Sequence, residues 1–168
     1  MEAYLAIVSR RETRDYAARP LTPEDERRIL DAGRVAGSSK NRQKWSFVVI
    51  RDDAAIERTA RSVWEPSNVA HAAFVVAIVT HGGPGMDAGR AAQNMMLAAW
   101  ALGIGSCPNG VADRETMDGL LGIGAEDQIA TVLTFGYPAR RRDPGRHTPE
   151  EWVARADRKP FEEVVREV

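Results

Sequence analysis

Three arginines stand close together near the start of the chain, in the segment SRRETR: Arg10, Arg11 and Arg14. A guanidinium is a permanent cation whose planar fork of donors fits the oxygens of a phosphate. The segment therefore predicts a phosphate-binding site. A solvated basic helix end, which also suits the negative end of the helix dipole, would explain the same residues.

A polar loop, GSSKNRQKW, follows the second predicted helix and precedes a strand. It contains Ser38, Ser39 and Asn41, whose side chains can all donate and accept hydrogen bonds. Such a loop suits a ligand with several hydroxyls and ring heteroatoms. A plain polar turn capped by Asn41 is the alternative.

The glycine-rich segment GIGSCPNG spans residues 103–110 and ends in Pro108, Asn109 and Gly110. Glycine allows the backbone to approach a planar ligand closely. The segment follows a predicted helix and does not separate a strand from a helix, so it is not a dinucleotide fingerprint. A helix stop followed by a turn is the alternative explanation.

No protein nucleophile or metal site is predicted. Cys107 is the only cysteine, which leaves no thiol pair for zinc, and a lone cysteine beside a strand is more typical of a buried small hydrophobe. The histidines, His71, His81 and His147, lack metal-ligand spacing, and no serine stands in a nucleophile elbow. We predict neither a catalytic side chain nor a metal ligand.

The composition is that of a folded protein: 43% hydrophobic, 28% charged and a net charge of −1 over 168 residues. We expect one domain over residues 1–168, with no global attraction to nucleic acid or to an anionic membrane. The first residues lack the apolar stretch of a signal peptide, and the longest apolar run, residues 72–79, is too short to span a bilayer. With the single cysteine, this predicts a cytoplasmic protein without a membrane partner.

Helices and strands alternate along the chain, which indicates an α/β or α+β fold. Thr22 and Pro23 mark one helix start and Gly37 its predicted end, while Asp52 or Asp53 and Asp113 cap two others. The segment 81–85, HGGPG, is predicted to be a loop. Periodicity predicts helices over residues 4–9, 23–36, 53–64, 87–102 and 114–121, and strands over 45–50, 73–79, 106–111 and 128–135.

Residues 139–168 form a tail with too few apolar residues for a core of its own. Trp152, Phe161, Val164 and Val165 nevertheless require burial. We expect the tail to wrap over a surface, for instance that of a second subunit. Its segment DRKPFEEVV places the basic pair Arg158 and Lys159 before a proline; a solvated tail is the alternative.

The order of these segments resembles the FMN-dependent nitroreductases. That family opens with a basic stretch and a proline-started helix, and continues with a loop like AGSSKNRQKW leading into an aliphatic strand. A helix like DAGRAAQNMMLAAWALGIGSC, a Gly-Tyr-Pro turn and a basic Arg-Lys-Pro tail complete the pattern here. The resemblance covers nearly the whole length.

The resemblance implies an α+β fold, a three-layer α/β/α sandwich with a mixed, mainly antiparallel sheet. It also implies a homodimer with FMN at the subunit interface and a C-terminal tail, residues 139–168, that crosses to the partner subunit. Arg10, Arg11 and Arg14 would face the FMN phosphate, and Arg158 or Lys159 would close that site. The remaining implied contacts are Ser38, Ser39 and Asn41 from the other subunit, Pro108, Asn109 and Gly110 on the ring face, and Asn68 at the ring edge.

The activity that the resemblance implies is electron transfer by a ping-pong flavin mechanism. NADH or NADPH would reduce the flavin and leave, and a nitroaromatic, a quinone or a similar small acceptor would take its place. The cofactor carries this chemistry, so the protein need not supply an acid or a base.

Some residues depart from the family pattern and keep alternatives open. Glu12 stands near the expected phosphate, Gly37 and Lys44 replace prolines, and residues 53–72 are too few for a large lid, so we expect an open site. The alternatives are a non-catalytic flavin or nucleotide-binding protein and a deazaflavin-using or dehalogenating variant. A nucleic-acid module built on the basic clusters, Arg10 to Arg14 and Arg140 to Arg142, is opposed by the near-neutral charge.

Overall fold

The computed structural model describes residues 1–82 and 85–168. These residues form two compact units, one of residues 11–142 and one that joins residues 1–10 to residues 143–168. Of the predicted loop 81–85, His81 ends a strand and Gly85 begins a helix, while Gly83 and Pro84 lie outside the described residues. That the chain folds as a single domain remains a prediction.

A four-stranded sheet forms the middle of the larger unit, in the order β1-β2-β4-β3. Every pairing among these strands is antiparallel. The prediction of a mainly antiparallel sheet is confirmed, but the parallel pair of a mixed sheet does not occur among the described residues. The strands are β1 (Trp45–Ile50), β2 (Phe74–His81), β3 (Gly105–Asn109) and β4 (Asp127–Gly136).

Helices flank this sheet and also build the smaller unit. They are α1 (Ala3–Ser9), α2 (Pro23–Arg34), α3 (Asp53–Ser62), α4 (Ser67–Ala70), α5 (Gly85–Ala101), α6 (Arg114–Leu121), α7 (Pro149–Ala154) and α8 (Phe161–Val164). None of the helices in the described part of the chain is long and apolar enough to cross a membrane.

The start of α2 is as predicted, but its end is not. Thr22 Oγ1 accepts a hydrogen bond from the backbone nitrogen of Asp25 at 3.1 Å, and Pro23 occupies the first turn. The prediction that Gly37 ends this helix is wrong, because the helix stops at Arg34. Gly37 instead leaves space for the Arg90 side chain, because a Cβ at this position would lie 3.1 Å from the Arg90 Cζ.

Both faces of the sheet are buried, which makes the larger unit a three-layer α/β/α sandwich. Val76 and Ile78 of β2 pack in the cluster that contains α2 and α5 residues. Val75 and Ala77, on the opposite side of the same strand, pack in the cluster with α3 and α6 residues. Because both sides of β2 are covered, the strand is apolar throughout and does not alternate.

The smaller unit is held by short-range contacts. Thr148 and Glu151 form a reciprocal capping box at the start of α7. Trp152 Nε1 donates to the Pro144 carbonyl at 2.8 Å, and the ring of His147 meets the indole edge-on. Phe161 and Val164 of α8 remain 70% and 64% exposed, so the tail has apolar residues that its own unit does not bury.

Candidate functional site

The basic segment near the N-terminus is fixed against two other parts of the larger unit. The Thr13 backbone nitrogen donates to the Ser106 carbonyl of β3 at 3.0 Å. Tyr16 then pairs with Pro138, in the turn that follows β4, in an antiparallel bridge. Arg14, between these two attachments, is held next to the end of β4 and close to β3.

Tyr16 anchors this segment through a buried hydrogen-bond network. Its hydroxyl lies 3.0 Å from Thr134 Oγ1, which donates to the Cys107 carbonyl at 3.2 Å. Asn109 Nδ2 reaches the same Thr134 Oγ1 at 3.3 Å. Burial, the main cause, raises the pKa of Tyr16. Its phenol therefore stays neutral at physiological pH and acts as a positioning group.

A basic cleft opens beside this segment. It encloses about 250 Å³ and is lined by the arginines Arg14, Arg140 and Arg142 together with Glu12, Thr13, Asp15 and Pro138. We call these residues the arginine cleft. Arg14 was predicted to bind phosphate, whereas Arg140 and Arg142 were considered only as part of a nucleic-acid-binding cluster. Their convergence joins segments that are more than 120 residues apart in the chain.

The end of β3 presents its main chain, not its polar side chain. Asn109 is buried, and its Nδ2 donates to the carbonyls of Cys107 and Val132, each at 3.1 Å, and to Thr134 Oγ1. Pro108 and Gly110 on either side are exposed. A ligand at this strand end would therefore meet Pro108, Gly110 and the backbone, while the Asn109 Nδ2 serves the fold.

Trp64 lies across from this strand end, and Asn68 follows four residues later on α4. The Trp64 backbone nitrogen donates to the Gly110 carbonyl at 3.2 Å, and its side chain is 77% exposed. A Cβ on Gly110 would come within 2.9 Å of Trp64 Cδ1, so the indole lies against one side of this exposed glycine. Asn68 is buried, yet its Oδ1 has no hydrogen-bond partner within the described part of the chain. An unpaired buried amide oxygen is costly and fits a position completed by a ligand.

The polar loop before β1 has an unusual backbone. Lys40, Asn41 and Gln43 all adopt left-handed conformations, with φ of 52°, 52° and 50°. Ser38 Oγ accepts from the Gln43 backbone nitrogen at 2.9 Å, and the Ser39 nitrogen donates to Asp87 Oδ2 at 3.1 Å. The side chain of Ser38 therefore shapes the loop, and the loop is tied to the first turn of α5.

The structure brings only some of the predicted site residues together. Arg14 and the segment 108–110 belong to neighbouring parts of the larger unit, as does Arg11 by its place in the chain. Ser38, Ser39 and Asn41 form the separate loop before β1. Arg10, Arg158 and Lys159 belong to the smaller unit, where Arg158 Nη1 donates to the Ala156 carbonyl at 2.6 Å. Their part in the site remains a prediction.

Sequence reasoning did not single out Trp64 or assign Arg140 and Arg142 to this site. An aromatic residue directly before Glu-Pro, where a helix must end, was the available signal for an exposed Trp64. No group of His, Cys, Asp or Glu side chains suited to a metal ion occurs among residues 1–82 and 85–168.

Comparison with known proteins identifies the family. The model of the nitroreductase family matches residues 7–83 and 81–137. A protein of Archaeoglobus fulgidus named NADH dehydrogenase/NAD(P)H nitroreductase is 32% identical over 84% of this chain and 88% of its own length. A protein of Methanothermobacter thermautotrophicus with the same name is 30% identical over 90% of this chain and 88% of its own.

Solved structures agree with this result. A nitroreductase of Desulfovibrio desulfuricans, in complex with FMN, is 27% identical and matches with a TM-score of 0.82 over 100% of this chain and 98% of its own. A nitroreductase family protein of Clostridium difficile shares the fold, with a TM-score of 0.83, 21% identity and coverage of 99% and 98%. This chain therefore belongs to the nitroreductase family and is an oxidoreductase.

Proposed function

We propose that this protein is an FMN-dependent NAD(P)H oxidoreductase that acts on nitroaromatics, quinones or similar small acceptors. The observation that carries the proposal is the 3.0 Å hydrogen bond between the Thr13 nitrogen and the Ser106 carbonyl. It sets an arginine suited to a phosphate beside the exposed strand end that is suited to a planar ring. FMN combines these two groups in one molecule.

The residues present fit this cofactor. Arg14 offers a charge-assisted donor for the phosphate, and Gly110 leaves the backbone accessible at the strand end. The unpartnered Asn68 Oδ1 can accept from an N–H at the edge of a flavin ring. By the family resemblance, Arg10, Arg11 and either Arg158 or Lys159 complete the phosphate site, and Ser38, Ser39 and Asn41 come from a second subunit.

When bound, FMN would supply the two-electron chemistry, and the protein would bind and orient the reactants. Tyr16 keeps its proton because burial raises its pKa, so it would not act as a base. Trp64 and Pro108 are both exposed, so a planar nicotinamide or acceptor can reach the end of β3. One shared face for both reactants leads to alternating binding, which is a ping-pong mechanism.

We also propose a homodimer, working in the cytoplasm where NADH and NADPH are regenerated. Phe161, Val164 and Val165 of the tail are 70%, 64% and 42% exposed. Burying each of these side chains on a second subunit would contribute roughly 1–2 kcal/mol. The same dimer would bury the exposed tail residues and would bring the loop before β1 of the second subunit to the site.

The test begins with purified protein. We expect a yellow protein, or one that turns yellow with FMN, whose flavin absorbance is bleached on anaerobic titration with NADPH. Steady-state oxidation of NADPH with a quinone or nitroaromatic should give parallel double-reciprocal lines, and light scattering should give the mass of a dimer. A flavin-loaded protein that oxidises neither NADH nor NADPH with any such acceptor would refute the proposed activity.

Asn68→Leu adds a specific test of the cofactor site. Since Asn68 Oδ1 has no hydrogen-bond partner among residues 1–82 and 85–168, the substitution should leave the unfolding midpoint of the apoprotein nearly unchanged. FMN affinity should fall about tenfold, the equivalent of one lost hydrogen bond. Asn94→Leu is the matched control, because Asn94 is exposed and its amide makes only a 3.4 Å contact to the Ala32 carbonyl.

A further inference from the structure

We propose that Arg140 and Arg142 join Arg14 in binding a phosphate monoester in the arginine cleft. This inference rests on the proposed function, because it assigns a charged group of the cofactor or the reductant to that cleft. It adds residues from the segment that follows β4 to a site that the sequence pattern places in the N-terminal segment and the C-terminal tail.

The backbone pairing brings these arginines together. Tyr16 and Pro138 form an antiparallel bridge, and the Ala139 nitrogen donates to the Asp15 carbonyl at 3.0 Å. Arg14 and Arg140 lie just beyond this paired segment, and both line the arginine cleft. Like charges held this close together repel each other. The turn after β4 therefore concentrates positive charge at one point.

These three guanidinium groups have no counterion in the part of the chain that the structure describes. Among residues 1–82 and 85–168, no carboxylate oxygen lies within 4.0 Å of the guanidinium nitrogens of Arg14, Arg140 or Arg142, although Glu12 and Asp15 line the same cleft. The forks of these three arginines therefore remain available to an anion from outside.

The size and charge of the cleft favour a compact anion. A volume of about 250 Å³ admits one small group and not a polymer. A phosphate monoester carries up to two negative charges on three terminal oxygens, which matches several guanidinium forks at once. The two carboxylates lower the net charge of the lining to one positive, so a diffuse polyanion gains little there.

Two ligands of the proposed reaction carry this chemistry. FMN has a phosphate monoester on its ribityl chain, and NADPH has one on its adenosine ribose. Riboflavin and NADH are their counterparts without that group. The ratio of binding between each phosphorylated molecule and its counterpart therefore identifies which phosphate occupies the cleft.

The decisive experiment compares the double variant R140Q/R142Q with R141Q. Arg141 lies between the two arginines and has the same charge and exposure, but it does not line the cleft. We expect R140Q/R142Q to lower one ratio at least about tenfold, the loss of more than one kcal/mol of charge-assisted bonding. The first ratio compares the affinity of the apoprotein for FMN with its affinity for riboflavin. The second compares kcat/KM for NADPH with kcat/KM for NADH. The control R141Q should change neither ratio by more than about twofold.

Inorganic phosphate separates this inference from the proposed function. Titrated into the apoprotein at constant ionic strength, phosphate should raise the thermal midpoint of the wild type and of R141Q, but not of R140Q/R142Q. If phosphate gives this pattern but the wild-type protein binds no flavin, the proposed function is refuted and the phosphate site is still supported. Unchanged ratios together with equal phosphate shifts in all three proteins would overturn the inference.

Discussion

The family resemblance implies that the end of β3 and the loop before β1 both contact the flavin. The end of β3 is fixed by buried hydrogen bonds and close packing, whereas the loop is exposed and has a strained backbone. In β3, Asn109 Nδ2 lies within hydrogen-bond distance of three acceptors, and Thr13 lies so close to Gly105 that a Cβ there would be 2.5 Å from the Thr13 Cβ. In the loop, Lys40, Asn41 and Gln43 hold left-handed conformations while exposed to solvent.

The end of β3 is therefore a preformed surface, whereas the loop before β1 is a strained one. The β3 end is determined by the same hydrogen bonds that hold the sheet, so it has its binding shape as soon as the unit folds. Each left-handed non-glycine residue of the loop costs on the order of 1 kcal/mol. Such strain persists where a shape is needed for contact with something else, which agrees with a loop that serves the second subunit.

The largest expected effect comes from the β3 side of this comparison. Asn109→Leu leaves the Cys107 and Val132 carbonyls without that donor and removes a buried partner of Thr134 Oγ1. The free energy of unfolding in urea should fall by about 2–4 kcal/mol. The exposed counterpart Asn94→Leu should change it by less than about 0.5 kcal/mol. Equal midpoints for the two variants would mean that the network does not preform the strand end.

A smaller effect is expected from the Tyr16 anchor of the same network. Burial raises the Tyr16 pKa in the folded protein, so the folded state keeps the proton when the unfolded state loses it. Stability from this group is complete below the unfolded pKa of about 10 and falls above it, by at most about 1.4 kcal/mol per pH unit.

Urea unfolding at a series of alkaline pH values measures this dependence. Tyr16→Phe should remove it, and Tyr4→Phe, at a tyrosine that is 53% exposed, should keep it. If Tyr16→Phe unfolds with the same alkaline slope as the wild type, the anchor does not hold its proton as the structure indicates.

The smallest effects test the loop. Lys40 has φ of 52°, so Lys40→Gly should stabilise the protein by roughly 0.5–1 kcal/mol. Arg42, two residues on, has an ordinary φ of −73°, and Arg42→Gly should destabilise it by a similar amount, about 0.5–1 kcal/mol. Thermal or urea unfolding measures both. Changes of the same sign would contradict the assignment of strain to the loop.

Sequence patterns were sufficient for most of the elements, because their signals are local. β1 is found at the predicted residues, and α2 and α6 begin at the predicted caps Thr22 and Asp113. The end of α2 was missed because Gly37 has a packing role against Arg90, which no local rule reveals.

The candidate site was harder to predict, because it depends on pairing between distant segments. Arg14 and Arg140 each look like solvated charges until the bridge between Tyr16 and Pro138 brings them together. The inward orientation of Asn109 is likewise set by Thr134 on the neighbouring strand. The ordered motifs of the whole chain predicted the family, although no single motif predicted the contacts.

The buried position of Cys107 has a practical consequence for observing this protein. The chain has one cysteine, which is 2% exposed and lies on β3 opposite Thr134 of β4. A thiol reagent can reach it only when this part of the sheet opens. The rate of thiol modification at Cys107 therefore measures how often the strand beside the proposed flavin site opens, and no engineered label is needed.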